Sequence, residues 1–145
     1  MEMKHLGNTS VKVSAIGLGG MPLSLSGRPG ELGAIEVIHR ALDLGVTLID
    51  TADSYCQDES DKHHNEQLIR KALQHYSGDT SHVVVATKGG LMRPEGAWTR
   101  NGNPDHLRAT ILDSFKALGG NQPIDLWQYH APDPNYTIKE SLTPV

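Results

Sequence analysis

The chain has 145 residues, with 13 basic and 17 acidic side chains and a formal net charge of -4, and its charges are scattered rather than gathered into runs. That length is enough for one domain with a real hydrophobic core, and the acidic balance offers no basic surface for nucleic acid. One cysteine, Cys56, excludes an internal disulfide framework and fits a reducing, cytoplasmic setting. Met1–Gly7 is charged and has no apolar leader core, and no apolar stretch approaches the ~20 residues of a membrane span.

Met3-Lys4-His5-Leu6 and Val11-Lys12-Val13 flank Gly7-Asn8-Thr9-Ser10, a pattern that predicts a hairpin. Ala15–Gly20 then reads as a third, glycine-rich strand. Ile35, Ile38, Ala41 and Leu42 recur at helical spacing between Leu32 and Leu44, with Gly45 as a stop. Val46–Ile49 is expected as a buried strand ending at Asp50. Leu68, Ile69, Ala72, Leu73 and Tyr76 mark a second helix. Val83–Thr87, β-branched except for Ala86, is the clearest strand.

Gly89–Gly102 is expected as a long polar loop. Asn103 as N-cap and Pro104 at the first helical position open a third helix, with Leu107, Ile111, Phe115 and Leu118 as its buried face and Gly119 as its end. Ile124–Tyr129 reads as the next strand. Thr137 and Glu140 form a capping box for one more helix, which Pro144 would kink or restart with Thr143 as cap.

This order, a hairpin followed by alternating strands and helices, predicts a parallel sheet with helical crossovers. Each βα unit takes roughly 35–40 residues, as in a barrel series. Gly17-Leu18-Gly19-Gly20 invites a dinucleotide fingerprint, but Pro22 stands where its third glycine belongs. No helix opens there, and Asp50 lies about 30 residues downstream instead of ~20. Tight backbone packing at a strand end explains those glycines better, and it leaves room for a ligand to approach.

Asp50, Tyr55, Lys88 and His130 follow three of the apolar runs. In parallel α/β folds, the carboxyl ends of the strands are where sites are built. Singly, each has an ordinary structural explanation: a cap, a loop aromatic, a surface charge, a hydrogen-bonded histidine. Together, a carboxylate, a phenol, an amine and an imidazole suit carbonyl reduction. Hydride delivered to a carbonyl carbon leaves an oxyanion that needs a proton. A phenol is a weak acid unless its anion is stabilised, and a neighbouring ammonium does that. A carboxylate holds the ammonium in place, and an imidazole orients the substrate oxygen. Tyr55, Lys88, Asp50 and His130 fill those roles in that order.

Four segments carry a family resemblance: Val13–Gly20, Ile49-Asp50-Thr51-Ala52-Asp53-Ser54-Tyr55, Ala86-Thr87-Lys88-Gly89-Gly90 and Leu126-Trp127-Gln128-Tyr129-His130. In sequence and order they resemble the aldo/keto reductase family, along the whole chain from about Met3 to Val145. The resemblance implies a (β/α)8 TIM barrel, of which residues 1–145 are the N-terminal part, with the hairpin and about four βα units. It implies NADPH (NADP+) as cofactor, an aldehyde or ketone as substrate, and Asp50, Tyr55, Lys88 and His130 as the catalytic tetrad. It places Gly20, Met21 and Asp50 on the nicotinamide side of the cofactor. Trp98 lines a substrate pocket or covers the barrel mouth.

His63 and His64 with Cys56 match no zinc spacing and read as a solvated loop, so no metal is expected. Asp58, Glu59, Asp61 and Lys62 read as a solvated charge cluster. A complete barrel takes about 250 residues. A chain of this length is therefore expected to expose two sheet edges and to self-associate, pair with a complementing fragment or continue further. The alternatives to an enzyme are a non-catalytic half-barrel that binds a partner and a nicotinamide-binding regulatory subunit.

Overall fold

The computed structural model describes residues 1–143. Met3–His5 (β1) and Lys12–Ser14 (β2) form the expected antiparallel hairpin, with Met3 opposite Ser14. Ser14 ties it to the main body. Its backbone N–H donates to Thr47 Oγ1 at 2.8 Å, and the Thr47 N–H donates back to Ser14 Oγ at 2.9 Å.

The main sheet comprises Leu18–Gly19 (β3), Leu48–Asp50 (β4), Val84–Gly89 (β5) and Leu126–Tyr129, which is β8 once the small ribbon Leu91–Met92 (β6) and Thr99–Arg100 (β7) is counted. Its four strands are parallel and lie in chain order, β3-β4-β5-β8. Each crossover advances one strand in the same direction, as in a barrel series, whereas the order reverses in a doubly wound sheet. Gly19 pairs with Asp50, Asp50 with Ala86, and Lys88 with Gln128, so the chemically active residues share one end of the sheet.

The crossovers are Glu31–Asp43 (α1), His64–His75 (α2) and Pro104–Ala117 (α3), and Ile138–Leu142 (α4) follows β8. Ala34, Ile38 and Leu42 of α1 and Leu68, Ile69 and Ala72 of α2 pack with Ile49 and Val85 of the sheet. Gly45, at φ +85°, lets the chain leave α1 and enter β4. Asn103 caps α3 by accepting from Asp105 and His106 N–H, with Pro104 at its start. Thr137 and Glu140 form the capping box of α4. The expected kink or restart at Pro144 lies outside the described residues.

Several elements differ from the sequence expectation. The third strand shrinks to β3 because Ser14 Oγ donates to Ile16 C=O at 2.7 Å, bending the chain before it can pair. Gly89–Gly102 contains the β6–β7 ribbon, for which Gly90 at φ +106° makes the turn out of β5. The α3 face is rotated: Leu107, Thr110, Ser114 and Ala117 are buried, whereas Ile111, Phe115 and Leu118 are half-buried. Small residues let α3 approach β5 closely, and a Cβ on Gly89 would meet Thr110 Oγ1 at 2.5 Å.

The supposed solvated segment at 58–64 is engaged throughout. Asp58 caps a turn, Asp61 pairs with Arg28 at 2.5 Å, and Glu59 accepts from the Arg93 N–H. His63 and His64 belong to the entry of α2, not to a loop in solvent. His63 sits at φ 68°, a conformation uncommon outside glycine, with Nδ1 bonded to Glu66 Oε2 at 2.6 Å.

Candidate active site

Lys88 lies within β5, its side chain largely buried, and its ammonium has three donors. All three find acceptors: Asp50 Oδ2 at 2.6 Å, Thr51 C=O at 2.9 Å and Tyr55 Oη at 3.0 Å. Asp50 ends β4 beside Lys88, and its other oxygen accepts from Gln128 Nε2 at 3.4 Å. Tyr55 is buried, in the turn after β4. Because its oxygen accepts from Lys88, its own proton is available to another acceptor.

His130 follows β8 immediately. Its backbone N–H donates to Gly89 C=O at 2.9 Å, and its ring stands edge-on to Tyr55 with centroids 5.6 Å apart. Burial, with the Lys88 ammonium adding to it and the Asp50 carboxylate opposing, pulls the imidazole pKa down to about 4. The ring is therefore neutral at ordinary pH. The four residues singled out in the sequence are thus brought together at one sheet end.

Gly20 and Met21 lie beside them. The Gly20 N–H donates to Asp50 C=O at 2.7 Å, and its carbonyl accepts from Asn65 Nδ2 at 2.8 Å. A Cβ on Gly20 would run into Asn65 Oδ1, whereas one on Gly19 would meet nothing within 4 Å. Open space over Gly19, the exposed Met21 and the accessible Asp50 carboxylate fit a flat nicotinamide-like ring at this strand end. Trp98 stands apart from the four. It is 46% exposed and stacks on the Arg93 guanidinium at 3.9 Å.

A supporting layer escaped the sequence pattern. Thr51 Oγ1 donates to Asn65 Oδ1 at 2.7 Å, and Thr87 Oγ1 donates to Glu66 Oε1 at 2.5 Å. Consecutive residues in the first turn of α2 thus hold the neighbours of Asp50 and Lys88. Glu66 is fully buried. Its place one helical turn before Ile69 on an apolar face was the available signal. Among the described residues no group of three His, Cys, Asp or Glu side chains could hold a metal ion.

A parallel sheet in sequential order, with this cluster at its carboxyl end, is the arrangement of one segment of a β/α barrel. The profile described as "Aldo/keto reductase family" matches residues 15–143, and the chain belongs to that family. It is 37% identical over 138 residues to an oxidoreductase of Schizosaccharomyces pombe, covering 92% of this chain and 42% of that protein. It is 35% identical over 143 residues to an aldo-keto reductase of Bacillus subtilis, covering 97% and 41%. A Bacillus halodurans aldo-keto reductase solved in its holo form superposes with TM-score 0.80 at 29% identity, over 99% of this chain and 45% of that one. The chain thus spans less than half the length of these relatives, and its fold is part of a (β/α)8 barrel. Among the described residues no helix is long and apolar enough to cross a membrane.

Proposed function

We propose that the protein works as a carbonyl reductase, converting an aldehyde or ketone to an alcohol with NADPH. The observation that carries this reading is the Lys88 ammonium, which donates to Tyr55 Oη at 3.0 Å while Asp50 holds it at 2.6 Å. Gly20, Met21 and Asp50 would hold the nicotinamide side of the cofactor. When bound, that group supplies a hydride to the carbonyl carbon.

The chain's own residues handle the oxygen. Neutral His130 donates a hydrogen bond to it and fixes its direction. Tyr55 gives its proton to the oxygen as negative charge develops there. Lys88 places positive charge against the resulting phenolate, which is worth more in this buried setting than in water. Asp50 keeps the ammonium in position. Trp98, exposed on its Arg93 support, would line the approach for the substrate.

Tyr55→Phe keeps the ring and removes the proton. Reduction of a simple aromatic aldehyde, followed by NADPH absorbance, is expected to fall at least about 10²-fold in kcat. Undiminished turnover in that variant would sink the assignment of Tyr55 as the acid.

A second reading, a non-catalytic module that pairs with another copy or a complementing fragment, draws support from the single strand neighbour of both β3 and β8. It expects no turnover from the wild-type protein and no functional effect of Tyr55→Phe.

A further inference from the structure

We infer that Ser54 is a positioning residue for His130: its hydroxyl donates to Nδ1 and thereby holds the ring proton on Nε2. The inference rests on the proposed reading only for its purpose, the orientation of a carbonyl oxygen. Its basis is hydrogen-bond accounting at a buried position.

Ser54 is 1% exposed, and its Oγ lies 3.4 Å from His130 Nδ1. Among the described residues this is the one side-chain partner of either group. The Ser54 carbonyl is occupied separately, accepting from Cys56 N–H at 2.9 Å and Cys56 Sγ at 3.4 Å. Two proton arrangements are possible for a neutral ring. With the proton on Nδ1, the imidazole would donate to Oγ, and the serine's own proton would be buried without an acceptor. With Nδ1 bare, the hydroxyl donates to it and both groups are satisfied. Burial makes the first arrangement the costly one.

The surroundings keep the ring neutral. The Lys88 ammonium disfavours a second positive charge, with Asp50 opposing it, and the Tyr55 ring packs edge-on. On β8 the Gln128 amide is turned to Asp50. The Ser54 contact is at the long end of the range, and such bonds tighten when the other nitrogen engages a polar ligand. The Nε2–H is then fixed as a donor on the side of the ring away from Ser54.

The test is long-range ¹H–¹⁵N correlation spectroscopy of the histidine rings in the ¹⁵N-labelled protein, without substrate or cofactor. For His130 at pH 7 the expected pattern is a protonated Nε2 and an unprotonated Nδ1 whose resonance is displaced as a hydrogen-bond acceptor. Ser54→Ala should remove that displacement and raise the His130 pKa by about one unit, because the donor favours the neutral ring. Ser54→Thr, which retains the hydroxyl, should keep the wild-type pattern.

A proton on Nδ1 in the wild type overturns the inference, as does an Nδ1 resonance lacking the acceptor displacement; neither needs a variant to fold. Identical spectra and titration in Ser54→Ala also overturn it. Failure of the wild type to reduce any carbonyl would instead remove the proposed function and leave the tautomer result standing.

Discussion

Asp53 and His130 pull the acid stability of the protein in opposite directions. Asp53 is fully buried, and neither carboxylate oxygen has an aligned hydrogen bond, although Lys62 Nζ is 3.3 Å from one of them. Burial outweighs the attraction of Lys62, and the neighbouring Glu66 adds to it, so the carboxyl rises to about 6. Its folded pKa exceeds the 3.8 of the unfolded chain, so stability falls as pH rises through that window and stays lowered above it. His130 does the reverse: its folded pKa of about 4 lies below the unfolded 6.5, so stability falls as pH drops between those values. Asp53→Asn is therefore expected to stabilise at pH 7.5 by up to about 3 kcal/mol and to have little effect below pH 4, read from urea unfolding at several pH values. An equal effect at both ends would refute the buried-carboxylate account. Cys56 belongs to the same turn. It is fully buried and its thiol is pushed up to about 12, chiefly by burial. The native protein at pH 8 should resist a disulfide exchange reagent that labels it promptly in denaturant.

The first turn of α2 works as a brace between two strands and the glycine-rich end of β3. Asn65 donates to Gly20 C=O and to Ser24 Oγ and accepts from Thr51, all while fully buried. Asn65→Ala leaves the Thr51 hydroxyl without an acceptor, whereas Gly20 C=O keeps the Leu23 N–H and Ser24 Oγ keeps His64, and it should cost about 1–3 kcal/mol in chemical denaturation. Gly20→Ala drives a methyl into Asn65 Oδ1 and should cost about 1–3 kcal/mol. The two share one space, so the double variant is expected to lose less than the sum, and strict additivity would argue against the brace. Little of this was visible in the sequence. Strand ends were legible at Asp50 and Lys88 because short β-branched runs precede them, and caps were legible at Asn103 and Thr137 because their side chains act locally. The α3 face was not, because its register against β5 is decided by Thr110 and Gly89, small groups that carry no hydrophobic signal. The β6–β7 ribbon was hidden because two residues per strand are too few for alternation. Glu66 was missed because the Thr87 hydroxyl that bonds its carboxylate adjoins it only in three dimensions, although His63 lies one turn before it in the sequence.

At the scale of the whole molecule, β3 and β8 are the outer strands of the sheet. Outer strands present unpaired N–H and C=O groups, and no bulge, proline or lysine blunts β8. Where those edges stay open, as the second reading has it, the chain should associate with itself as its concentration rises, and a single monomeric species up to high micromolar concentration in sedimentation velocity would contradict that reading.

The ammonium of Lys88 has one more consequence. Its three acceptors come from the end of β4, from the residue after it and from the turn beyond, so they gather only when β4 and β5 are paired in register. A collapsed chain with its helices formed but its sheet loose would hold none of this geometry. The pairing of Lys88 with Tyr55 thus acts as a timestamp on refolding. The near-ultraviolet signature of that tyrosine should return in the last, slowest phase, after the helical signal has already recovered.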